Sequence, residues 1–536
     1  MIDEPAEQTT SAGTEDESTG TTGGTTGGTG GLETTGAEES TTGAPQACSF
    51  DVEASATVAI THRGPVGGLV TDVGPVAFLG IPYAAPPVDE RRWMPPEEPA
   101  CWSEVLEASM MGPRCTQLET ATGPVVGEED CLQLNVWTPA VDDGARPVLV
   151  FIHGGGNAVG SATDPLYDGA RLAAAGDQVV VTINYRLGVL GWFTHPELPA
   201  VNFGLRDQIA ALEWVQANAA AFGGDPDRVT VFGESAGAVN TCTLLGAPGA
   251  AGLFRGAIIQ SGACNHRAAA LYDLQMSTPF LEASGCQGED DVLGCLRSRD
   301  AATLAATAPT GFPSISTFSG QSWGPRVDPE TLPMQSLDAM EAGIHNDVPV
   351  IIGANAEETL RDAPPLADEQ AYVALITATF GALAAAVLER YPVSDYPSAR
   401  DAYIAVSTDA RFICTARRSL RAAAHGRSPA YRYFFTHDDY FVPGGGETGA
   451  FHGLELVYVF GNFDAVIPGI EYPTTAADEA VRDSMQAIWS SFAADAAPQA
   501  DPPWPVYDPY LQIAEPMTVG EGVRTAQCDF WDGLSG

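Results

Sequence analysis

The sequence predicts an α/β fold, in which a central, mostly parallel β-sheet carries helices on both faces. Short, continuously apolar runs recur along the chain, separated by segments with helical spacing, and strands apolar on both faces are typical of a sheet buried between helices. One run also leads directly into a glycine-flanked serine and a helix-compatible segment. The runs are Val148 to Ile152, Val179 to Ile183, Val229 to Phe232, Ala257 to Gln260 and Val348 to Ile352.

The N-terminal segment, residues 1–47, consists mostly of Thr, Gly, Glu, Ser and Ala, with nine acidic residues and neither basic nor aromatic ones. Such a segment cannot bury enough apolar surface to offset its ordering entropy, so we predict a flexible tether. Its composition resembles the spacer that follows the lipid-anchored cysteine of some bacterial surface proteins. Residues 48–536 are expected to form a single domain.

The charge of the chain is strongly negative: 25 basic residues face 69 acidic ones, for a formal net charge of −44. This field repels nucleic acids and anionic membranes, so neither is expected as a partner. All the basic residues are arginine. The absence of lysine excludes lysine Schiff bases, P-loop nucleotide sites and serine hydrolases whose base is a lysine.

The cysteines bear on the compartment. The chain has ten cysteines and no C-x-x-C pair, which argues against a zinc ribbon or a thioredoxin-type site. Paired cysteines would mean export, yet Met1 to Pro5 lacks the regions of a signal peptide. We therefore expect a secreted, cell-surface or periplasmic protein whose leader is absent from this sequence, and a lipid anchor upstream stays open. No apolar run is expected to reach the length of a membrane span.

The elements follow in order from Cys48. Thr57 to Thr61 and Val76 to Gly80 are expected strands, and dense prolines over 81–96 predict an irregular loop. The apolar strands named above come next. Asp207 to Ala220 has the apolar spacing of a helix that connects two of them.

The serine turn is the first sign of chemistry. The run Arg228 to Phe232 enters Gly233-Glu234-Ser235-Ala236-Gly237, which reads as strand, sharp turn and helix. In this arrangement, a nucleophile elbow, the strained turn exposes the serine hydroxyl above the sheet. Glycines on either side permit the close approach of strand and helix. Ser235 is therefore the candidate nucleophile.

A nucleophilic serine needs donors for the developing oxyanion. The stretch His153-Gly154-Gly155-Gly156 directly follows the strand Val148 to Ile152, where backbone without side chains can point its N–H groups at a substrate oxygen. We assign this oxyanion hole to the amides of Gly155, Gly156 and Ala236, the residue after the nucleophile.

The serine also needs a base and an acid that orients it, which in this architecture follow the serine in the order acid, then histidine. His452, on a glycine-flanked loop late in the chain, and His437, at the end of a strand-like run, are the candidate bases. Glu357 and Glu358 follow an apolar strand, where open α/β sheets place their sites. The pattern alone leaves both choices open.

From Phe78 to Trp531 the chain resembles the type-B carboxylesterases, the family that includes the cholinesterases. The motifs that carry the resemblance, besides the serine turn, are Phe78 to Ala84, Glu129 to Val136, Asn184 to Gly188, Asn202 to Gln208, Phe222 to Pro226 and Cys528 to Trp531. The resemblance implies the α/β-hydrolase fold and a serine esterase.

By this resemblance the catalytic triad is Ser235, Glu358 and His452. Glu358 matches the second acid of the family's D-E-G pattern, although Thr359 replaces its glycine, and His452 matches the family's H-G-x-E. His452 would take the proton of Ser235 while Glu358 orients the ring. An acyl-enzyme would form and water would release the acid, so no metal and no cofactor is expected.

The resemblance also orders the cysteines. Three pairs match the intrachain disulfides of the family: Cys115–Cys131, Cys286–Cys295 and Cys414–Cys528. Cys48 and Cys101 are left near the N-terminus, where they can pair. Cys242 and Cys264 are expected to be free buried thiols rather than a bridge.

Departures from the family restrict the substrate. No choline-binding tryptophan lies between Cys115 and Cys131, which argues against a choline ester. The fifteen residues between these cysteines begin with the polar run Thr116 to Thr122, unlike the long apolar flap of fungal lipases of the family. Asn157 stands where the family usually has an aromatic residue. In the family, an oxyanion hole with three consecutive glycines, as at Gly154 to Gly156, is associated with tolerance of bulky tertiary-alcohol esters.

These features predict a serine carboxylesterase that acts on small, uncharged esters of short to medium acyl chain. Two alternatives stay open. One is a family member specialised for a bulky natural-product ester, an amide or a carbamate. The other is a non-catalytic, cholinesterase-like binding protein, which the presence of Ser235 and His452 disfavours. The oligomeric state is not predicted.

Overall fold

The computed structural model describes residues 48–120, 123–265, 269–309, 322–438, 448–465 and 472–534. Within these ranges the chain from Cys48 onward forms one compact unit. The tether expected for residues 1–47 lies outside the described residues.

An eleven-stranded sheet is the centre of the fold. Its strands, in chain order, are β1 Leu69–Val70, β2 Val76–Pro82, β3 Gln133–Thr138, β4 Arg146–Ile152, β5 Val179–Ile183, β6 Gly224–Glu234, β7 Gly256–Gln260, β8 Val350–Asn355, β9 Ala430–Phe435, β10 Tyr510–Ile513 and β11 Thr518–Gly520. Two small sheets lie outside it, one formed by Val58–Ile60, Pro65–Gly67 and Leu106–Glu107, the other by Gln117–Leu118 and Val125–Val126.

The order across the main sheet is β11-β10-β9-β8-β7-β6-β4-β5-β3-β2-β1. Seven adjacent strands in this order are mutually parallel: β10, β9, β8, β7, β6, β4 and β5. The pairs at the two edges are antiparallel. The prediction of a mostly parallel central sheet is therefore confirmed, and the antiparallel edges are the part that the apolar runs did not indicate.

Sixteen α-helices surround the sheet in the described residues. They are α1 Ala170–Gly176, α2 Gly188–Trp192, α3 Phe203–Asn218, α4 Ala236–Gly246, α5 Ala269–Tyr272, α6 Thr278–Ser284, α7 Val292–Arg297, α8 Ala301–Thr307, α9 Ser336–Glu341, α10 Glu369–Phe380, α11 Ala384–Arg390, α12 Ala399–Thr408, α13 Cys414–Ala423, α14 Leu454–Phe460, α15 Ala476–Asp495 and α16 Thr525–Leu534. Two π-helical turns, Asp273–Ser277 and Asp409–Ile413, join α5 to α6 and α12 to α13.

The sheet is buried on both faces. Along β4, Val148 and Val150 belong to one hydrophobic cluster, whereas Leu149 and Phe151 belong to another. Because successive side chains of a strand point to opposite faces, each cluster packs one helix layer against the sheet. This explains why the central strands appear in the sequence as continuous apolar runs.

Five disulfides link all ten cysteines. Four join the pairs considered from the sequence: Cys48–Cys101, Cys115–Cys131, Cys286–Cys295 and Cys414–Cys528. The expectation that Cys242 and Cys264 are free thiols is wrong, because they form the fifth bridge, with their Cα atoms 5.3 Å apart. Cys242 lies on α4 and Cys264 lies in the loop that follows β7. The packing of the helix against this loop brings the two cysteines together, and the sequence does not indicate that packing.

The expectation that no apolar run reaches the length of a membrane span is wrong for Glu369–Arg390. This 22-residue stretch, which combines α10 and α11, contains an 18-residue window with a mean hydropathy of 2.0, and it is the one helix of the described chain that could span a membrane by length and composition. Within the apolar part of the stretch, 22% of the residues are buried in the protein. Seven alanines and interspersed Thr, Tyr and Gly separate its larger apolar residues, so the stretch does not stand out in the sequence.

Candidate active site

The serine turn has the geometry of an elbow. Strand β6 ends at Glu234, and Ser235 takes φ 56° and ψ −120° before α4 begins at Ala236. A positive φ is strained for a residue with a side chain, and it persists only where its surroundings enforce it. The close packing on both sides supplies that constraint. A Cβ on Gly233 would meet the backbone of Gly237, and one on Gly237 would meet the carbonyl oxygen of Ile152.

The glycine turn after β4 lies beside the serine. A Cβ placed on Gly154 would be only 3.1 Å from the Cβ of Ser235. Gly155 and Gly156 have φ of 102° and 63°, and a Cβ on Gly155 would collide with the backbone of Val159. Gly155 therefore cannot be replaced without strain, and Gly156 lines the same cavity as Ser235 and Ala236.

His452 and Glu358 are in direct contact. The Nδ1 atom of His452 lies 2.6 Å from Oε2 of Glu358, which is fully buried. The other carboxylate oxygen accepts a hydrogen bond from the amide of Asn355 at 2.8 Å, and the amide of His452 donates to the carbonyl oxygen of Glu358 at 3.1 Å. The carboxylate is thus held on both oxygens, and it fixes the imidazole plane.

The alternatives considered from the sequence have other partners. Glu357 accepts a hydrogen bond at 2.8 Å from the amide of Ala450. His437 is buried, and its Nε2 lies 3.0 Å from Oδ1 of Asp478. The structure therefore brings Glu358, not Glu357, to His452, and places His437 in a separate buried pair.

The other nitrogen of His452, Nε2, has no hydrogen-bond partner among the described residues. It lies 3.1 Å from Oε1 of Glu234, the residue before the serine, without the alignment of a hydrogen bond. A base needs this nitrogen free to accept a proton, and catalytic hydrogen bonds often tighten only when substrate binds.

Three buried carboxyl groups surround the imidazole. Burial raises the pKa of Glu234 to about 8, and burial together with the charge of Glu358 raises the pKa of Glu455 to about 7. Burial alone would lower the pKa of His452, but Glu234 and Glu358 outweigh it and raise the pKa to about 9. The effects are linked, because a protonated Glu234 carries no charge to stabilise the imidazolium. The proton on Glu234 thus controls the basicity of His452.

A network of amides holds Glu455. The side chain of Asn355 donates at 2.5 Å to Oε2 of Glu455, and that of Gln260 donates at 3.1 Å to Oε1. Asn355 and Gln260 are the last residues of β8 and β7. Nothing in the sequence indicates that these two amides contact Glu455, because the strand order brings them to it.

A cavity of about 590 Å³ opens in front of the serine. Its described lining comprises Gly156, Asn157, Ser235, Ala236, Val239, Ser261, Gly262, Ala263, Asn265, Leu271, Tyr272, Ser322, Trp323, Gly324, Pro325, Arg411 and Phe412. Phe412 also packs against His452, with ring centroids 4.9 Å apart. The sequence analysis missed Arg411 and Phe412, because a π-helical turn far along the chain brings them to the site.

Asn157, the departure after the glycine triplet, forms part of the cavity wall. It is buried with φ 56°, and its Oδ1 accepts a hydrogen bond at 2.8 Å from Nδ2 of Asn240 on α4. A polar amide thus replaces the aromatic residue typical of the family. No group of three or more His, Cys, Asp or Glu side chains placed to hold a metal occurs among the described residues.

The chain is similar to known proteins over most of its length. Residues 55–531 match the model of the carboxylesterase family. The chain is 36% identical over 487 residues to a fumonisin B1 esterase of Sphingopyxis macrogoltabida, covering 87% of each chain. It is 35% identical over 461 residues to a para-nitrobenzyl esterase of Bacillus subtilis, covering 84% of this chain and 92% of the relative.

The fold is likewise similar to solved structures. A thermophilic PNB esterase superimposes with a TM-score of 0.77 at 32% sequence identity, covering 89% of this chain and all of the other, 100%. The family match, residues 55–531, includes all the strands of the main sheet, and the structural match covers most of the chain.

Proposed function

Because the chain belongs to the carboxylesterase family, and is thus an enzyme that hydrolyses carboxylic esters, we propose that it acts through Ser235, His452 and Glu358. The observation that carries the proposal is the 2.6 Å contact between His452 and Glu358, which leaves Nε2 of the ring without a hydrogen-bond partner among the described residues. A carboxylate at Nδ1 favours the tautomer in which Nδ1 carries the proton and Nε2 accepts one, which supports the proposal.

In the first step, Nε2 of His452 takes the proton of Ser235 as its oxygen attacks the ester carbonyl. Glu358 stabilises the imidazolium that forms. The carbonyl oxygen becomes an oxyanion that the amides of Gly155, Gly156 and Ala236 bind. Donors fixed in a site from which water is excluded are usually the largest contribution to such a rate acceleration.

The first tetrahedral intermediate collapses when His452 gives its proton to the leaving alcohol, and the acyl group remains on Ser235. In the second half of the cycle, water enters, loses a proton to Nε2 and attacks the acyl carbonyl. The same oxyanion hole serves both tetrahedral intermediates. The second intermediate collapses as the bond between the acyl carbon and the Ser235 oxygen breaks, His452 returns the proton to that oxygen, and the carboxylic acid leaves.

For the substrate we propose uncharged esters of short to medium acyl chain. The cavity of about 590 Å³ has walls of Leu271, Tyr272, Trp323 and Phe412, which supports an apolar acyl or alcohol group of moderate size. A second candidate is a bulky natural-product ester, which the similarity to a fumonisin B1 esterase favours.

For the compartment we propose an oxidising one, outside the cytosol. Five disulfides support it, because such bridges persist in secreted, cell-surface and periplasmic proteins and are rare in the cytosol.

The proposal is tested with Ser235→Ala and a series of para-nitrophenyl esters of increasing acyl length. We expect wild type to prefer the short and medium chains, and the variant to lose about 10⁴-fold or more in kcat with an unchanged melting temperature. Ester hydrolysis that survives in Ser235→Ala would sink the mechanism.

A further inference from the structure

One charged side chain lines the active-site cavity within the described part of the chain, and it is Arg411. Every other described residue of the lining is polar and uncharged or apolar. Arg411 shares this cavity with Ser235, and its sequence neighbour Phe412 packs against the ring of His452 at 4.9 Å. Arg411 is therefore part of the wall of the cavity that contains Ser235.

The backbone around Arg411 is unusual. Helix α12 ends at Thr408 and α13 begins at Cys414, and the turn Asp409–Ile413 between them is π-helical. A π-helical turn inserts one residue into the helical repeat and occurs often at functional sites. Here the turn carries both Arg411 and Phe412 to the cavity.

The charge of Arg411 survives its burial. Burial lowers the pKa of Arg411 from its ordinary value, while Tyr403 and Asp362 favour the charged form. An arginine nevertheless stays protonated in proteins, and its planar group has five N–H donors. Arg411 is part of the described cavity lining, whereas Asp362 is not.

The position contrasts with the charge of the whole chain. The protein carries 69 acidic residues against 25 arginines, and its field opposes the approach of anions. That field is screened within about 8 Å at physiological ionic strength, whereas a partly buried cation acts locally with little screening. The charge of Arg411 in the cavity wall can therefore act on a bound molecule despite the negative charge of the whole chain.

We propose that Arg411 binds a carboxylate of the substrate, so that this site takes esters that bear an anionic group on their acid or alcohol part. The inference rests on the proposed function and extends its substrate class beyond uncharged esters. A guanidinium and a carboxylate match in geometry and can form two parallel hydrogen bonds. The carboxylate can lie on the acid part or on the alcohol part of the ester, and the choice of test substrates distinguishes the two.

The test compares kcat/KM within two matched pairs. Monoethyl adipate and ethyl hexanoate differ only at the far end of the acyl chain. Para-acetoxybenzoate and para-acetoxyacetophenone differ in the alcohol part. We expect wild type to prefer the anionic member of at least one pair, and that pair identifies the side of the ester that Arg411 contacts.

In Arg411→Gln we expect kcat/KM for the preferred anionic ester to fall about tenfold or more relative to its neutral partner, chiefly through KM, because a charge-assisted hydrogen bond is lost. Arg411→Lys, which keeps the charge but not the planar fork, should retain part of the preference. Arg427→Gln, which removes an exposed arginine, should change neither ratio. If Arg411→Gln does not fold, Arg411→Lys tests the proposal instead. A ratio of kcat/KM for the anionic over the neutral ester below that of wild type supports it, and an unchanged ratio contradicts it.

Ratios unchanged in Arg411→Gln at an equal melting temperature would overturn the proposal and leave Arg411 as a structural partner of Asp362. A second experiment tests the role of Arg411 independently of catalysis. Calorimetry measures the binding of monoethyl adipate to Ser235→Ala, and this binding does not depend on ester hydrolysis. There we expect binding that Arg411→Gln weakens about tenfold in the double variant. Equal binding with and without Arg411 would also overturn the proposal.

Discussion

Glu234 has an unusual position for a carboxyl group, between the nucleophile and the base. It is buried, precedes Ser235 in the chain, and has one oxygen 3.1 Å from Nε2 of His452. Its raised pKa means that it gains a proton more readily than an ordinary glutamate. When Glu234 is ionised, its charge stabilises the imidazolium form of His452. When Glu234 is protonated, that stabilisation is absent, so the titrations of the two groups are coupled.

The first prediction concerns the pH dependence of Glu234→Gln. A base acts only without its proton, so activity is lost as the pH falls through the raised pKa of His452, about 9. Removing the Glu234 charge removes a partner of the imidazolium and lowers that pKa. We expect the acidic limb of kcat/KM to move to lower pH by about one pH unit.

The matched control is Glu213→Gln, which removes an exposed glutamate on α3 and should leave the profile in place. An acidic limb of kcat/KM at the same pH in Glu234→Gln as in wild type would show that Glu234 is uncharged in the active form of the enzyme.

The second prediction concerns His437. Its imidazole lies 3.0 Å from Asp478, which is fully buried, so His437→Ala leaves that carboxylate without one of its partners. We expect a loss of about 1–3 kcal/mol in the free energy of unfolding, with kcat unchanged in the folded fraction. Denaturant unfolding and kinetics measure the two effects.

His425→Ala, at an exposed histidine, is the control and should change neither quantity. An inactive His437→Ala with a normal unfolding curve would transfer the role of base from His452 to His437.

At the residue scale, the sequence indicated Ser235 and the glycine turn because their signals are local. The choice between Glu357 and Glu358 was not local. The side chains of neighbouring residues after a strand point in different directions. Which of the two carboxylates contacts the imidazole depends on the packing of the loop that carries His452. The family resemblance named Glu358, whereas the residue pattern alone could not.

At the scale of elements, the approach of α4 to β4 fixes the serine. The third prediction is that Gly237→Ala disrupts this approach, since its Cβ would collide with the carbonyl oxygen of Ile152. We expect a loss of stability and a fall in kcat that exceeds any change in KM, because the displaced helix start moves Ser235 and the amide of Ala236 together. Thermal unfolding and steady-state kinetics report both.

Gly533→Ala serves as the control, because a Cβ at that helical glycine meets nothing within 4 Å. It should be neutral or slightly stabilising. Normal activity in Gly237→Ala would mean that the elbow tolerates a side chain, contrary to this account.

The elements also show where prediction from sequence ends. The buried parallel strands were predictable because both faces are apolar, and Val179–Ile183 has the predicted bounds. Strand β3, Gln133–Thr138, was not, since polar residues interrupt its apolar run. The π-helical turn that carries Arg411 has no sequence signal, because it depends on how α12 and α13 pack.

At the scale of the whole molecule, the disulfides close loops of very different length. Cys414–Cys528 spans 114 residues and Cys286–Cys295 spans 9. The fourth prediction follows from loop entropy: replacing both cysteines by alanine should cost about 4–5 kcal/mol for the long loop and about 2–3 kcal/mol for the short one. Denaturant unfolding of the two double variants gives the order, and a larger loss for the short loop would contradict it.

The fifth prediction concerns Cys242 and Cys264, whose pairing the sequence analysis did not expect. All ten cysteines are bonded in the structure, so thiol titration of the denatured, unreduced protein should find no free thiol. Two titrating thiols, with peptide mapping to these residues, would restore the original expectation.

The central claim is that Ser235 is an activated nucleophile within an assembled triad. The most direct measurement is a fluorophosphonate titration followed by intact mass, on wild type and on Ser235→Ala. The account predicts one adduct per wild-type chain and none on the variant, because only a serine beside a working base attacks the phosphorus. No adduct on folded wild type, or an adduct that persists on the variant, would contradict it.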